Sequence, residues 1–148
     1  MKYFESVKNK IGYYQIPAEG CSSEDISQLE GFLNFALPEA YKEFLMLFGQ
    51  HAAGLFSGSY IEYIHLKDMQ FEANALLQEN QCKLLEKEDF VFLTHYGSSF
   101  YAFKIGLDDP DVFLFIEGDY EFKMWQNSGP FTKFIINRFD HMINSYRI

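Results

Sequence analysis

The sequence predicts an α+β fold in which an antiparallel-rich sheet, a meander of about four to six strands, is flanked by helices. Three observations lead to this prediction. Apolar side chains recur at helical spacing through the first half of the chain and again at its end. Between them, residues 90–125 are rich in β-branched and aromatic residues around turn signals. The 148 residues fit a single domain, 1–148, without a linker or an internal repeat.

The two helices nearest the N-terminus are predicted from spacing and from end signals. Apolar residues in the segment 3–11 recur every three to four positions and predict a short helix that ends at Gly12. Ser22 and Asp25 have the spacing of a capping box, in which two side chains accept the free N–H groups of the first turn. They predict a second helix over about 23–34.

The stretch LPEAYKEFLMLFG, residues 37–49, predicts a third helix that packs in the core. Pro38 lies in the first turn, where a helix tolerates proline, and Gly49 can adopt the left-handed conformation that ends a helix. The residues of its apolar stripe are Tyr41, Phe44, Leu45 and Phe48. Later stripes predict two further helices, over 69–80 and over 131–146.

The sheet is predicted from one early strand and two hairpins. The segment YIEYIH, residues 60–65, is β-prone and predicts a strand. Residues 97–98 and 118–119 lie at the centres of two predicted hairpins, and glycine in the first central position gives the second a type II′ turn. The continuously apolar run 112–116 predicts a central strand that is covered on both faces.

Composition limits the classes of partner. The net charge is −9, from 12 basic and 21 acidic residues, which disfavours nucleic acid and anionic membranes because both need clustered Lys and Arg. The same charge permits a basic protein partner. The alternative explanation is that the acidic residues only keep the protein soluble. The N-terminus, MKYFESVKNK, lacks the apolar core of a signal peptide, and no stretch reaches membrane-spanning length. We therefore expect a soluble, cytoplasmic protein.

No motif of an enzyme or of a cofactor site is present. The four histidines, His51, His65, His95 and His141, lack the spacing of metal ligands. Cys21 and Cys82 form no CxxC pair and carry no signature of a nucleophile, and a disulfide between them stays open at this stage. The sequence therefore predicts a non-enzymatic protein without a cofactor or a metal.

Acidic residues cluster at the two predicted turns that flank the third strand. The members of these clusters are Asp108, Asp109, Asp111, Glu117, Asp119 and Glu121. The first three have a structural explanation, because Asp bonds its own backbone in turns and Pro110 fixes the local φ. The alternative is a patch that contacts a basic protein partner, since exposed loops commonly carry binding residues. Paired carboxylates at an exposed hairpin tip do not favour catalysis.

The order of these motifs resembles the SUKH superfamily, which includes the yeast cell-wall-assembly regulator domain and many bacterial immunity proteins. The resemblance covers roughly residues 20–140 and is strongest in the pattern Leu-Pro-x-x-Tyr-x-x-Phe-Leu. The residues that carry it are Ile26, Leu29, Glu30, Leu37, Pro38, Tyr41, Phe44, Leu45, Gly49 and Gly54, with Phe131, Phe134 and Ile135 in the last helix.

The resemblance implies a sheet flanked by helices and a non-enzymatic role. Bacterial members are similar to antidotes, which bind a cognate toxin domain, often a nuclease, inside the producing cell. Our leading hypothesis is therefore an immunity protein that neutralises a basic cognate toxin by occluding its active site, with the six acidic residues as contacts. The alternative is a regulatory protein-interaction domain related to the yeast member.

Overall fold

The computed structural model describes residues 1–118 and 126–146. In these residues the chain forms five α-helices and a four-stranded antiparallel sheet, which confirms the predicted α+β class. The helices are α1 (Glu5–Tyr14), α2 (Ser23–Leu33), α3 (Glu39–Phe48), α4 (Leu66–Glu79) and α5 (Phe131–Ile143). The strands are β1 (Asp89–His95), β2 (Ser99–Lys104), β3 (Asp111–Ile116) and β4 (Gln126–Pro130). One-turn 3-10 helices at Tyr63–His65 and Asn144–Tyr146 precede α4 and follow α5.

The strands follow one another in chain order, β1-β2-β3-β4, and each is antiparallel to the next. β1 and β2 join through a tight turn in which the Ser98 N–H donates to the His95 carbonyl over 3.0 Å. Tyr96 and Gly97 have positive φ angles, of 50° and 69°, as a type I′ turn requires. The first predicted hairpin is confirmed, with its turn one residue earlier. The turn predicted at 118–119 lies partly outside the described residues.

The aromatic part of the core lies between one face of the sheet and helices α3 and α5, and α4 packs against β1 and adds further buried residues. Tyr41 of α3 and Phe131 of α5 have ring centroids 5.5 Å apart, and both rings pack against Phe92 of β1 and Phe103 of β2. All four residues of the apolar stripe predicted for the third helix are buried. This cluster of edge-to-face rings accounts for much of the chain's high aromatic content and fixes α5 over the sheet.

The start of α2 has the predicted capping box. The Ser22 hydroxyl accepts the Asp25 N–H and the Asp25 carboxylate accepts the Ser22 N–H, both over 3.1 Å. The hydrogen bond from the Ser22 backbone lowers the pKa of Asp25, because it favours the charged carboxylate. The helix ends at Leu33, within one residue of the predicted boundary.

The outer edge of β1 is closed by side-chain and backbone groups from the preceding segment. The Gln70 amide accepts the Val91 N–H over 2.9 Å and donates to the Val91 carbonyl over 2.7 Å, as a neighbouring strand would. Tyr60 and Thr94 exchange a pair of backbone hydrogen bonds of 2.9 and 3.1 Å. These contacts protect an edge that would otherwise pair with another chain.

The strand predicted over 60–65 is wrong beyond its first residue. Tyr60 forms an isolated bridge with Thr94, and the chain then turns into the 3-10 helix Tyr63–His65. The Tyr63 N–H donates to the Gly49 carbonyl over 2.7 Å, which ties this segment to the end of α3. This tertiary contact overrides the β-propensity of the aromatic and β-branched residues.

Two glycines have roles different from those predicted. Gly12 does not end the first helix, because α1 continues to Tyr14 and Gln15 takes the left-handed conformation with a φ of 54°. Gly49 follows the end of α3 as predicted, but its φ is −62° rather than left-handed. A Cβ at Gly49 would collide with the Cys21 Sγ, so the absence of a side chain serves close packing. Cys21 is a free thiol, as is Cys82.

The third strand is only partly covered, in contrast to the prediction for 112–116. β3 does lie between two other strands, and Val112 and Phe115 are buried. Phe113 and Leu114 are only half-buried. Leu114 lines an open groove between the sheet and α5, so the apolar run reflects that groove as well as the core.

Candidate functional site

The predicted acidic contact residues lie at opposite ends of β3. Asp108 and Asp109 lie in the turn before the strand, Asp111 begins it, and Glu117 directly follows it. Asp119 and Glu121 lie outside the described residues. A six-residue strand separates its ends by about 20 Å, so the described acidic side chains do not form one compact cluster.

The acidic turn before β3 supplies hydrogen-bond acceptors to two helices that have no N-cap side chain of their own. Pro38 and Pro130 occupy the N-cap positions of α3 and α5, and neither provides a side-chain acceptor. The Asp108 carbonyl accepts the Ala40 N–H over 2.9 Å, and the Asp109 carboxylate accepts an N–H of the first turn of α5 over 2.9 Å. The turn therefore accepts free N–H groups at the starts of α3 and α5, and it places negative charge near the positive N-terminal ends of their dipoles.

The remaining described acidic residues differ in whether their carboxylates already make a hydrogen bond within the fold. The Asp111 carboxylate accepts a hydrogen bond from the Asn127 amide over 3.0 Å, which joins β3 to β4. Asp108 and Glu117 are exposed, and neither side chain makes a hydrogen bond or ion pair within the described residues. These two carboxylates are the predicted contacts whose charge is not already used inside the fold.

A second exposed surface, which we call the α4 surface, is formed by Phe32, Ile64 and Phe71. Their exposed fractions are 51%, 77% and 70%. Ile64 and Phe71 are seven residues apart and share one side of the helical segment, and Lys67 lies between them with its Nζ 4.5 Å from the Phe32 ring centroid. Exposed apolar side chains that lie close together are a feature of interaction sites, which makes this surface a candidate.

Carboxylates flank the apolar side chains of the α4 surface. Asp68 and Glu72 are exposed on the same helix, beside Ile64 and Phe71. An apolar centre with a charged rim is the usual anatomy of a protein–protein interface. The negative rim fits a partner whose surface is basic.

A groove of about 660 Å³ lies between the end of the sheet, the loop 52–59 and α5. Its described lining has an apolar part and a polar part and contains no acidic side chain. The lining residues are Phe56, Ser59, Leu93, His95, Ser98, Ser99, Tyr101, Leu114, Ile116, Ser128, Phe134, Asn137, Arg138 and His141. Two of the four histidines therefore face one groove, although the sequence separates them by many residues.

The loop 52–59 bends sharply to place Phe56 against α5. Phe56 is buried and has a φ of 57°, a left-handed conformation that is unusual for a bulky residue. Its ring stacks on Phe134 with a centroid distance of 5.3 Å, and the Arg138 guanidinium lies 5.1 Å from the Phe56 centroid. The glycine-rich composition of this segment therefore serves a tight loop that shapes the groove.

The described residues contain neither a cluster of metal-ligating side chains nor a helix that could cross a membrane. No group of three or more His, Cys, Asp or Glu side chains converges there as a metal site would require. None of the helices described has the length and apolar character needed to cross a bilayer.

Comparison with known proteins identifies the family. The model of the SMI1/KNR4 family (SUKH-1) matches residues 20–143, which is most of the chain. The chain belongs to the SMI1/KNR4 family. The match begins just before α2 and ends at the last residue of α5, so it contains both candidate surfaces and the groove. No curated protein sequence matches the chain.

Neither the α4 surface nor the groove was identified from the sequence. For the α4 surface a signal existed, because Phe71 falls outside the apolar stripe of its own helix and is therefore expected to be exposed. The groove had no such signal. Its residues come from a loop, four strands and a helix, and only the folded chain brings them together.

Proposed function

We propose that this member of the SMI1/KNR4 family is an immunity protein that binds a cognate polymorphic toxin domain and neutralises it by occluding the active site. The observation that carries the proposal is the family match over residues 20–143, because the family includes immunity proteins. The toxin class that best fits the charge of −9 is a nuclease. A nuclease surface must hold phosphate and is basic, so an acidic inhibitor imitates its substrate.

The proposed contacts are the predicted acidic residues at the two ends of β3. Asp108, Asp111 and Glu117 are exposed, and Asp119 and Glu121 are retained as proposed contacts. An interface of standard size covers about 800 Å² on each partner and is about 30 Å across, so one toxin surface can meet both ends. Asp109 is the weakest candidate, because its carboxylate already caps α5.

The α4 surface supplies the apolar part of the proposed interface. Binding energy usually concentrates in a few aromatic and aliphatic side chains that become fully buried, while charged rims set the association rate. Phe71 and Ile64 are the residues of this surface that have the most exposed area to bury. We expect them to determine how long the complex persists and the acidic residues to determine how fast it forms.

The test is co-expression with the product of the adjacent gene, with survival of the host and co-purification of the two chains as readouts. Rescue together with a stable complex supports the proposal. Lethality that persists without a complex refutes it. Stable complexes with several unrelated host proteins, together with failed rescue, would instead support a regulatory interaction domain.

Charge-reversal variants test the acidic contacts. We expect the double variant Asp108→Lys and Glu117→Lys to slow association with the toxin and to weaken its dependence on salt. The matched control is Glu19→Lys with Glu88→Lys, two exposed sites that change the net charge equally and whose side chains make no hydrogen bond or ion pair within the described residues. Equal slowing by both pairs would show that only the overall charge matters and would remove the specific contacts from the proposal.

A separate pair of variants tests the α4 surface. Phe71→Ala is expected to raise the Kd for the toxin at least tenfold, about 1.4 kcal/mol, through faster dissociation. Tyr13→Ala is the control, because Tyr13 is 81% exposed on α1 and lies outside the proposed interface. An unchanged dissociation rate for Phe71→Ala would exclude this surface.

A further inference from the structure

We propose that the groove beside α5 binds an extended segment of a partner protein that carries a carboxylate next to an apolar side chain. Arg138 receives the carboxylate, and the aromatic floor made by Phe56, Phe134 and Tyr101 receives the apolar group. Among the proposed acidic contacts only Glu117 borders this site, through a backbone hydrogen bond to Ser98. The site lies apart from the α4 surface, and it has the opposite charge preference.

Arg138 is the first observation that leads to this inference. It is exposed on α5, and none of the ion pairs in the described part of the chain includes it, although the protein has 21 acidic residues. Asp140, two residues away on the same helix, is paired instead with Lys10 over 3.5 Å. The stacking of Arg138 on Phe56 restricts the guanidinium while leaving its hydrogen-bond donors available to a planar carboxylate.

The charge pattern around the groove is the second observation. Its described lining contains Arg138 and the two histidines His95 and His141, with no acidic residue, whereas the chain as a whole has a net charge of −9. Glu117 borders the rim, where its N–H donates to the Ser98 carbonyl over 2.8 Å, but it does not line the groove. The groove is therefore a local site for a negative group on an otherwise negative protein.

Polar groups on the wall of the groove extend the site beyond one charge. Ser59 Oγ and His95 Nδ1 are hydrogen-bonded over 2.8 Å, Ser98 Oγ donates to the His95 carbonyl over 3.1 Å, and Ser99 also lines the groove. Hydroxyl groups of this kind can donate to and accept from the backbone of a bound chain. The floor is apolar, with Tyr101 and Phe134 at a centroid distance of 4.8 Å.

The shape of the groove selects a peptide over other anions. A second depression, of about 240 Å³, shares Phe56, Arg138 and His141 with the first, so the two adjoin at α5. A groove of about 660 Å³ with an apolar floor suits a segment of chain with its side chains, whereas free phosphate would leave the floor uncovered. Nucleic acid and anionic lipid need several clustered cations, and the described lining has a single arginine and no lysine.

The test uses the full-length protein and labelled peptides, without a toxin, so its result is independent of the proposed function. The probe is fluorescein-Gly-Ser-Glu-Phe-Glu-Leu-Gly, and the comparison peptides replace both Glu by Gln or replace Phe and Leu by Ser. Fluorescence anisotropy at low salt is expected to give a Kd of about 10–100 µM for the probe. Both comparison peptides are expected to bind at least tenfold more weakly.

Variants of α5 connect the binding to Arg138. Arg138→Gln is expected to weaken binding of the probe about tenfold or more, and Arg138→Lys is expected to weaken it less because the charge remains without the planar fork. Lys133→Gln is the matched control, since Lys133 is exposed on α5 and lies outside the groove lining. Its Kd is expected to change less than twofold, and thermal melting of all three variants checks that the fold is retained.

Four results would overturn the inference. They are the absence of saturable binding up to about 1 mM probe, equal affinity for the Glu and Gln peptides, an unchanged Kd in Arg138→Gln, and displacement of the probe by inorganic phosphate at the concentration at which unlabelled peptide displaces it. The last result would assign the groove to a free anion. Displacement by unlabelled peptide alone, with the expected loss in Arg138→Gln, supports the peptide site.

Discussion

Replacing Tyr41 by Phe is expected to stabilise the protein by about 1–2 kcal/mol, although Tyr41 belongs to the family motif. The side chain is 0% exposed and packs against the rings of Phe44, Phe90, Phe103 and Phe131. Its hydroxyl has no hydrogen-bond partner among the described residues, and burial raises its pKa well above the usual value. A buried hydroxyl without a partner costs about 1–3 kcal/mol, and Phe keeps the ring contacts while removing that cost.

Thermal unfolding measures this effect, and Tyr63→Phe is the matched control. For 148 residues the entropy of unfolding is about 0.3 kcal/mol/K near 60 °C, so 1–2 kcal/mol corresponds to an increase in Tm of about 3–6 °C. The Tyr63 hydroxyl donates to the Asp25 carbonyl over 3.0 Å. Tyr63→Phe loses that bond and is expected to lower the stability by about 0.5–1.5 kcal/mol.

The opposite signs of the two Tyr→Phe variants make the reasoning refutable. If Tyr41→Phe lowers the Tm as much as Tyr63→Phe does, the Tyr41 hydroxyl has a hydrogen-bond partner, such as a buried water, and the argument from an unpaired group fails. Urea unfolding of both variants should give unchanged m-values, which confirms that the difference lies in stability rather than in the extent of unfolding.

Three further predictions concern glycine packing, a helix end and a buried thiol. Gly20→Ala is expected to lower the free energy of unfolding, measured with urea, by about 1–3 kcal/mol, because a Cβ there would overlap the backbone of α3. Gly31 lies within α2 and a Cβ there would meet open space, so Gly31→Ala should raise the free energy of unfolding by about 0.5–1 kcal/mol. Gln15→Gly should raise the Tm by relieving the left-handed conformation after α1, a gain of about 0.5–1 kcal/mol. Burial raises the pKa of Cys21 from about 9 to about 11, so the unfolded chain loses this proton first and the free energy of unfolding should fall as the pH rises from about 9 to about 11. Cys21→Ala should flatten that slope, and a slope identical to that of the parent would contradict the assignment.

The helices were the most predictable part of the fold because their signals are local. The capping box of α2, the proline start of α3 and the apolar stripes of α4 and α5 each depend on residues within a few turns of one another. In α3, α4 and α5 the buried residues lie on the predicted face. In α2 the predicted face is only partly buried, because Ile26 and Leu29 are buried whereas Phe32 is 51% exposed. The β1–β2 hairpin was predictable for the same reason, since glycine in a short turn between two β-rich runs is a local signal.

Features that depend on distant contacts were not predictable from local pattern. The segment 60–65 has the composition of a strand, but its contacts with β1 and with the end of α3 turn it into a bridge and a 3-10 helix. Gly49 was expected to be left-handed, but the sulfur of Cys21, far away in sequence, explains the glycine. The groove could not be predicted at all, because its lining residues come from segments that are far apart in the sequence.

The acidic turn before β3 shows how to separate structural charge from binding charge in this protein. Asp109 was predicted as a partner contact and lies in an accessible turn, yet its carboxylate already satisfies the first turn of α5. A family member that changes its partner can alter such a residue only by giving up a helix cap, at a cost of about 0.5–2 kcal/mol. Specificity is therefore more easily varied at exposed side chains that satisfy no other group.

Applied to the described residues, this criterion favours a small set of side chains. Asp108 and Glu117 are exposed carboxylates without a partner in the fold, Ile64 and Phe71 are exposed apolar groups, and Arg138 is a cation without an ion pair. None of these side chains caps a helix or is buried in the core, although Arg138 stacks on Phe56 and Asp108 supports α3 through its backbone carbonyl. Side-chain substitution at each should therefore change binding while leaving the Tm within about 2 °C. A larger loss of stability at any of them would show a structural role and remove that residue from the proposed surfaces.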